Sequence, residues 1–332
     1  MQPYIEKRLT NQSYRLLVRV FLFKFVKVFN FQGKVMKKHS FKEWIIATRP
    51  WSFPASAMPV LVTLGYLFWR QGEADWPIGL FTIINVVLFH AAGNTWSDYK
   101  DYRSGVDRED AVGGMSIVSG EFAPEQIKRL SISLMAVAMI CGFVLVALTG
   151  WITLWLGMAG AALTVMYPWL KYRALGDVDI FLTYAVLPIL GTSYVATGNI
   201  NPESLWLAVP VGLITVGILH SNNTRDMEQD RRAGIRTFAM AIGGKASSYL
   251  YCFEVIFPFL WCVAGIVAGL FPVYIITVFA VLKPAIDNAR KAMCYPKEGM
   301  KALVGLDEST AKLQLMFSLA LFGGFMIAAF VA

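Results

Sequence analysis

GNTWSDYKDYRSGVDREDAVGG at residues 93–114 and SNNTRDMEQDRRAGIRT at residues 221–237 are the two stretches that decide how this chain is organised. Each is polar and rich in acids, and each is joined directly to an apolar run that is long enough to cross a bilayer. Acidic side chains in such a place are costly unless a charged partner meets them. The two stretches therefore predict a charged site at the edge of a membrane domain.

The composition is typical of a protein that crosses the membrane several times. Of the 332 residues, 56% are hydrophobic and only 16% are charged, which leaves too little polar surface to cover a soluble globule of this size. The net charge is +8, but the basic residues cluster between apolar runs and near the N-terminus, where anionic lipid headgroups are the simpler partner. We therefore expect the lipid bilayer as a partner and no nucleic acid.

Nine apolar runs of spanning length predict an all-α bundle of nine transmembrane helices. The runs lie at residues 51–69, 77–95, 130–148, 151–167, 179–197, 205–221, 249–269, 272–288 and 311–332. Of the 30 Lys and Arg residues, only Arg70 falls on one side of this arrangement, so the positive-inside rule places the N-terminus in the cytoplasm and the C-terminus outside. Both acidic stretches then emerge at the cytoplasmic face of a multi-pass protein of the cell (inner) membrane.

The chain divides into two predicted parts. Residues 1–40 form a basic, amphipathic N-terminal extension, in which Lys24 and Lys27 interrupt the apolar run before it reaches signal-peptide length. Residues 41–332 form the nine-helix domain. Met36 is itself a plausible start, so we expect residues 1–35 to be dispensable.

The spacing of the first acidic stretch places its polar side chains on one helix face. Asn94, Asp98 and Asp101 fall at positions i, i+4 and i+7, so they line one face if the second predicted helix continues into the loop. Asp107 follows after Gly105. In the second stretch Asn222, Asp226 and Asp230 fall at i, i+4 and i+8, with Asn223 beside them.

Carboxylates gathered at the ends of two helices repel one another, and a divalent cation removes the conflict. Carboxylate and amide oxygens suit Mg²⁺, which typically binds through a few such groups together with substrate phosphates. The predicted metal ligands are Asn94, Asp98, Asp101, Asp107, Asp226 and Asp230. The alternative is that these are solvated charges that cap helix ends, and the matching of two stretches on the same side counts against it.

Basic residues lie on the same predicted side of the membrane as the acids. They are Arg225, Arg231, Arg232 and Arg236 in the second stretch, with Lys171 and Arg173 after the fourth crossing. Acids for a metal and bases for phosphate oxygens are the groups needed to hold a diphosphate. A bilayer-embedded cavity beside them would suit a long apolar tail.

At these residues the chain resembles the UbiA-type membrane prenyltransferases, which carry two aspartate-rich motifs on helices 2 and 6 of a nine-helix bundle. The second stretch is similar to the motif of 1,4-dihydroxy-2-naphthoate polyprenyltransferases of menaquinone synthesis. Further similarity lies in ATRPWSFPASAMPV at residues 47–60 and GTSYVATG at residues 191–198. In the first motif Ser97 stands where the family usually has an asparagine, and Asn94, one turn earlier, can supply the amide from the same face.

The resemblance implies transfer of a polyprenyl chain from polyprenyl diphosphate to 1,4-dihydroxy-2-naphthoate, with decarboxylation and release of diphosphate, giving demethylmenaquinone. The implied cofactor is Mg²⁺. The implied catalytic residues are Asp98, Asp101, Asp226, Asp230 and Lys171, and the implied substrate-binding residues are Asn94, Arg49, Tyr167, Arg173, Asn222, Asn223, Arg225 and Arg231.

Two alternatives stay open at this point. The acceptor can be another one used by UbiA-type enzymes, such as 4-hydroxybenzoate, homogentisate, haem or a glycerophosphate lipid. A different class is an ion-coupled membrane transporter, because acids in membrane helices often line ion pathways. Against it, the acids lie at one face and not near the midplane. The sequence leaves the prenyl chain length and the oligomeric state open.

Overall fold

The computed structural model describes residues 38–105 and 116–331, and within them every regular element is a helix. Predicted residue Asp107 lies outside the described residues. Eight helical segments are long and apolar enough to cross a membrane: Pro50–Gln71, Trp76–Arg103, Pro124–Thr149, Trp151–Lys171, Gly176–Thr197, Pro202–Arg225, Gly244–Val267 and Leu306–Val331. They confirm eight of the nine predicted crossings in type and place, and the protein is a multi-pass membrane protein. The direction in which the helices cross stays a prediction.

The remaining predicted crossing, at residues 272–288, is not confirmed as a spanning helix. The chain there forms a 3₁₀-helix over Val273–Val281 and an α-helix over Leu282–Met293. Lys283, Asp287 and Arg290 lie in its second half, so the apolar part is shorter than a bilayer crossing requires.

The α-helices of the described residues are labelled in chain order. α1 is Phe41–Ala47, α2 is Pro54–Gln71, α3 is Trp76–Arg103, α4 is Pro124–Thr149, α5 is Trp151–Lys171, α6 is Gly176–Phe181, α7 is Leu187–Thr197, α8 is Ala208–Arg225, α9 is Met227–Arg232, α10 is Phe238–Ile242, α11 is Gly244–Val267, α12 is Leu282–Met293, α13 is Tyr295–Glu298 and α14 is Leu306–Val331. α6 and α7 are joined through a π-helical turn at Leu182–Val186, and a 3₁₀-helix at Pro202–Leu207 leads into α8.

Small residues let the helices approach closely. A Cβ atom added to Gly65 on α2 would lie 2.7 Å from the ring of Phe322 on α14, and one added to Gly324 would lie 2.8 Å from the carbonyl oxygen of Tyr274. Close packing of this kind replaces the hydrophobic effect as the force between helices in lipid. Large apolar side chains such as Val267 and Phe330 are exposed instead, which suits a lipid-facing surface.

The segment before α2 turns sharply and carries a charge toward the site. Ser40 and Glu43 form a capping box at the start of α1, which fixes the entry of the chain. Arg49 then adopts the left-handed backbone conformation with φ of 58°, an uncommon choice for a residue other than glycine. The turn at Arg49 and Pro50 separates α1 from α2 and brings the Arg49 guanidinium against α3.

Candidate functional site

The first acidic motif lies on one continuous helix. α3 runs without interruption to Arg103, which confirms that the second predicted helix continues past the apolar run. Asp98 and Asp101 are both buried, with 2% and 7% of their surface exposed. Buried carboxylates need positive partners or a metal, so the neighbours of these two groups decide what the motif can do.

Each of the two carboxylates is met by groups from other segments. The guanidinium of Arg49 forms an ion pair with Asp98. Lys171 Nζ at the end of α5 lies 3.6 Å from Asp101 Oδ2, and the hydroxyl of Tyr172 donates to Asp101 Oδ1. Burial, together with the charge of Asp101, raises the pKa of the Tyr172 phenol, so this phenol stays a donor. The motif therefore gathers two cations that can also face phosphate oxygens.

Asn94 and Ser97 of the first motif form hydrogen bonds to different parts of the structure. Asn94 Nδ2 donates to the carbonyl of Thr48 and to Ser52 Oγ, both at 3.0 Å. Ser97 Oγ donates to Asp101 Oδ2 at 3.3 Å. Both side chains line the same cavity, with Asn94 tied to the turn before α2 and Ser97 tied to the motif itself.

The second acidic motif is broken by a change of helix direction. α8 ends at Arg225, Asp226 has φ of −93° and ψ of 7°, and the short helix α9 begins at Met227. Arg225 spans this break: Nε lies 2.8 Å from Asp226 Oδ1, and Nη1 lies 2.9 Å from Asp307 Oδ2 on α14. It also donates to Asn222 Oδ1. Arg225 thus links the motif to the last described helix.

Among the predicted site acids Asp98, Asp101, Asp226 and Asp230, only Asp230 has a buried oxygen without a hydrogen-bond partner. The side chain is buried, and Oδ2 makes no hydrogen bond. Burial raises the pKa of the Asp230 carboxyl to about 6; nearby Lys171 opposes that rise, while Asp226 and Asp101 add to it. A buried carboxylate oxygen without a partner is costly, and a bound cation would satisfy it. Asp230 Oδ2 is therefore a candidate ligand for a divalent metal such as Mg²⁺.

A polar cavity of about 260 Å³ lies between the two motifs. Six predicted site residues line it, and they are Arg49, Asn94, Asp101, Tyr167, Lys171 and Asn222. Asp98, Asp226 and Asp230 do not line it. Asp98 pairs with Arg49, Asp226 pairs with Arg225, and the charge of Lys171 acts on Asp230. Asn223 is buried in α8.

Two predicted phosphate-binding residues are placed elsewhere by the structure. Arg231 is two-thirds exposed and pairs with Glu228 at 3.0 Å. Arg173 stacks on the Trp169 ring, with its guanidinium carbon 4.0 Å from the ring centroid. In this conformation both side chains have protein partners outside the residues that line the cavity.

Asp307 and Glu308 were not predicted, and both line the cavity from the start of α14. The sequence feature that could have predicted them is the pair of acids in GLDESTAKLQ, at the polar end of the last apolar run. Two acids at a helix N-terminus are also favoured by the helix dipole. Because the helix dipole alone accounts for two acids at this position, the sequence pattern did not indicate that they line the cavity.

A second, apolar cavity of about 140 Å³ adjoins the polar one. Its walls come from α3, α4, α5 and α7 and include Phe89, Phe143, Leu154 and Leu187. Four residues line both cavities, and they are His90, Thr164, Thr183 and Tyr184. The polar and apolar spaces thus share one wall.

Comparison with known proteins shows which family combines these features. The profile of the UbiA prenyltransferase family matches residues 56–291. The chain belongs to the UbiA prenyltransferase family. The UbiA prenyltransferase domain-containing protein 1 of Gallus gallus is 34% identical over 230 residues, which are 66% of this chain and 68% of that protein. Its name gives no acceptor, so the narrower resemblance to the naphthoate enzymes stays a prediction.

Solved structures of the same family share the fold of this chain. A UbiA homologue from Aeropyrum pernix K1 in its apo form has a TM-score of 0.59 and 17% identity, over 82% of this chain and 97% of that chain. A UbiA homologue from Archaeoglobus fulgidus bound to GPP and Mg²⁺ has a TM-score of 0.52 and 12% identity, over 84% and 99%. At such identities the likeness concerns the helical architecture.

Proposed function

We propose that this protein transfers a polyprenyl chain from polyprenyl diphosphate to 1,4-dihydroxy-2-naphthoate at a Mg²⁺-dependent site, with loss of the carboxylate and release of diphosphate. The observation that carries the proposal is the wall shared by two cavities: a polar one lined by Asp101 of the first motif and Asn222 of the second, and an apolar one inside the membrane domain. A prenyl diphosphate has one charged end and one hydrocarbon end, and the two cavities match that division.

The acidic residues supply the metal ligands in this proposal. Asp98, Asp101, Asp226 and Asp230 would hold Mg²⁺, and Asp230 Oδ2 is the oxygen that lacks another partner. A solved UbiA homologue contains both GPP and Mg²⁺, which supports this choice of cation. When bound, Mg²⁺ neutralises the charge that develops on the leaving diphosphate.

The basic residues and Tyr167 act on the diphosphate in the same cavity. Lys171 and Arg49 already lie against Asp101 and Asp98, so they can bind phosphate oxygens without leaving the acids. Both are held in place before substrate arrives, and preorganised charges of this kind stabilise a leaving group most effectively. Tyr167 lines the same wall and can donate a hydrogen bond.

The apolar cavity protects the reacting carbon from water. Breaking the allylic C–O bond leaves a cation that water would capture in an open site. Aromatic rings along the wall, including Tyr184 and Phe89, can stabilise such a cation through their faces. The electron-rich naphthalene ring would then attack the carbon in place of water.

The test uses membranes that contain the full-length protein, supplied with Mg²⁺, a polyprenyl diphosphate and 1,4-dihydroxy-2-naphthoate. We expect a prenylated naphthalenediol without the carboxylate, detected by mass spectrometry and absent when EDTA is added. Product from another aromatic acceptor, but none from the naphthoate, would contradict the proposed acceptor and keep the prenyl transfer. Absence of product with every acceptor would contradict the enzyme assignment itself.

A further inference from the structure

Asp179 is a buried carboxylate on the wall of the polar cavity, outside both acidic motifs. It lies on α6, has only 3% of its surface exposed and lines the polar cavity beside Ile180. Its Oδ1 atom has no hydrogen-bond partner among the described residues. An unpaired carboxylate oxygen inside a membrane domain is costly. A ligand in the cavity that donates a hydrogen bond to Oδ1 would remove that cost.

The charges around Asp179 separate it from the predicted metal ligands. Asp226 and Asp101 both act on Asp230, whereas no charged group among the described residues is close enough to act on Asp179. The phenol of Tyr167, which lines the same cavity, is acted on by both Asp101 and Asp179. Asp179 therefore lies near the proposed diphosphate site but outside the group of acids that would hold a metal.

The position of Asp179 on its helix places it close to the proposed point of reaction. Thr183 and Tyr184 follow it by four and five residues, and both line the polar and the apolar cavity. Four helical residues rise by about 6 Å along the axis. An aromatic acceptor that contacts Asp179 can therefore reach the wall where the charged and hydrocarbon ends of a prenyl diphosphate would join.

On the basis of the proposed function, we propose that Asp179 accepts the proton of the acceptor hydroxyl next to the reacting carbon and then returns it. In 1,4-dihydroxy-2-naphthoate this is the hydroxyl on C1. Ring carbon C2 bonds to the first carbon of the prenyl chain, while the bond from that carbon to oxygen breaks and its electrons leave with diphosphate. The O–H electrons form a C1=O bond, and the proton passes to Asp179 Oδ1.

Loss of the acceptor carboxylate completes the proton cycle. When CO₂ leaves C2, the electrons of the broken bond restore the aromatic ring, and C1=O becomes C1–O⁻. Asp179 returns its proton to this oxygen and is again a carboxylate. The products are the prenylated naphthalenediol, CO₂ and diphosphate, so the reaction takes up no net proton and needs no further reactant.

Two acceptors of different acidity separate this role from a structural one. A 1,4-dihydroxy-2-naphthoate fluorinated on its second ring has more acidic hydroxyls but the same groups on C1 and C2. The rates of the wild-type protein, Asp179→Asn and Glu254→Gln are measured in membranes with each acceptor, Mg²⁺ and a polyprenyl diphosphate. Glu254 is the matched control: it is also 3% exposed and has an oxygen without a partner, but it lines neither of the two cavities.

We expect Asp179→Asn to slow transfer to the unsubstituted naphthoate about 100-fold, the usual range for loss of a general base, and transfer to the fluorinated acceptor only about 10-fold. The loss is smaller because a more acidic hydroxyl gives up its proton more easily. Glu254→Gln should leave both rates unchanged. The melting temperature of Asp179→Asn in detergent should not fall, because the substitution removes a buried charge without a partner.

Two results would overturn the role of Asp179 alone. Equal loss with both acceptors would make it a structural residue, and no loss would assign the hydroxyl proton to the acceptor's own carboxylate. If the wild-type protein makes no product from the naphthoate, the proposed function fails and the role of Asp179 fails with it. The wild-type rate therefore distinguishes the two failures.

Discussion

The first and second acidic motifs contain similar residues but are satisfied in different ways. In the first, Asp98 and Asp101 receive cations from segments distant in sequence, namely Arg49 and Lys171. In the second, the cation is Arg225, which comes from the motif itself, and Asp230 keeps an oxygen without a partner. The carboxylates of the first motif are thus paired by their surroundings, whereas the second motif keeps one unsatisfied carboxylate oxygen.

The difference suggests that the two motifs contribute at different stages of binding. A cation that binds Asp230 displaces no protein group from Oδ2, because this atom has no hydrogen-bond partner. At the first motif, a ligand must share oxygens with Arg49, Lys171 and Tyr172, which lowers the gain from binding there alone. The second motif should therefore dominate metal affinity, and the first should dominate the positioning of phosphate oxygens.

Removal of the unpartnered carboxylate should have the largest effect. Asp230→Asn is expected to lower Mg²⁺-dependent prenyl transfer about 10²–10³-fold, the range seen when one preorganised electrostatic group is lost. Its melting temperature in detergent should not fall, because the substitution removes an unpaired buried charge. Steady-state rates and thermal unfolding measure the two effects.

Glu228→Gln is the control for that substitution. Glu228 lies on the same short helix, is half exposed and pairs with Arg231 and Arg232, so its loss should leave activity unchanged. Equal activity of Asp230→Asn and Glu228→Gln would contradict the contrast between the two motifs.

Removal of a cation from the first motif should have an intermediate effect. Lys171→Met is expected to reduce transfer about 10–100-fold, since one stabilising charge on the leaving diphosphate is lost. The melting temperature should also fall, because Asp101 loses a buried ionic partner. Lys100→Met is the control: Lys100 lies on the same helix end as the motif, but is exposed over the Trp96 ring. A lower melting temperature with unchanged activity would limit Lys171 to a structural role.

The smallest effect should come from the link between Arg225 and α14. In Asp307→Asn, Arg225 loses one anionic partner, so it should bind Asp226 more strongly and compete with the metal. We expect the Mg²⁺ concentration for half-maximal activity to rise about threefold to tenfold, the range of a coupling free energy near 1 kcal/mol. Asp287→Asn is the control, because it removes a surface acid paired with Lys283. It should leave the Mg²⁺ concentration for half-maximal activity unchanged. An unaltered Mg²⁺ requirement in Asp307→Asn would show that Arg225 and the metal do not compete.

The sequence predicted the parts of the site that obey helix periodicity. Asn94, Asp98 and Asp101 share a helix because an uninterrupted apolar run leads into them, and Lys171 ends α5 as its position after the fourth run indicates. Their spacing therefore translated directly into a shared face.

Periodicity failed where the chain changes direction. α8 ends at Arg225, so the predicted spacing of Asn222, Asp226 and Asp230 crosses a break at Asp226. Arg231, which follows the break, pairs with Glu228. Tyr172 reaches Asp101 because the chain turns after Lys171. Asp307 reaches Arg225 because α14 packs beside α8, a contact between helices that no local spacing encodes.

The contact between Arg225 and Asp307 also bears on the biogenesis of the protein. Arg49 enters the cavity wall near the beginning of the described chain, and Asp307 and Gln314 enter it from α14, the last described helix. During synthesis, a nascent chain thus lacks one wall of the diphosphate cavity until Leu306–Val331 has left the ribosome and inserted. The cavity is assembled late, so a truncated or stalled product would reach the membrane with most of its helices and without a complete site.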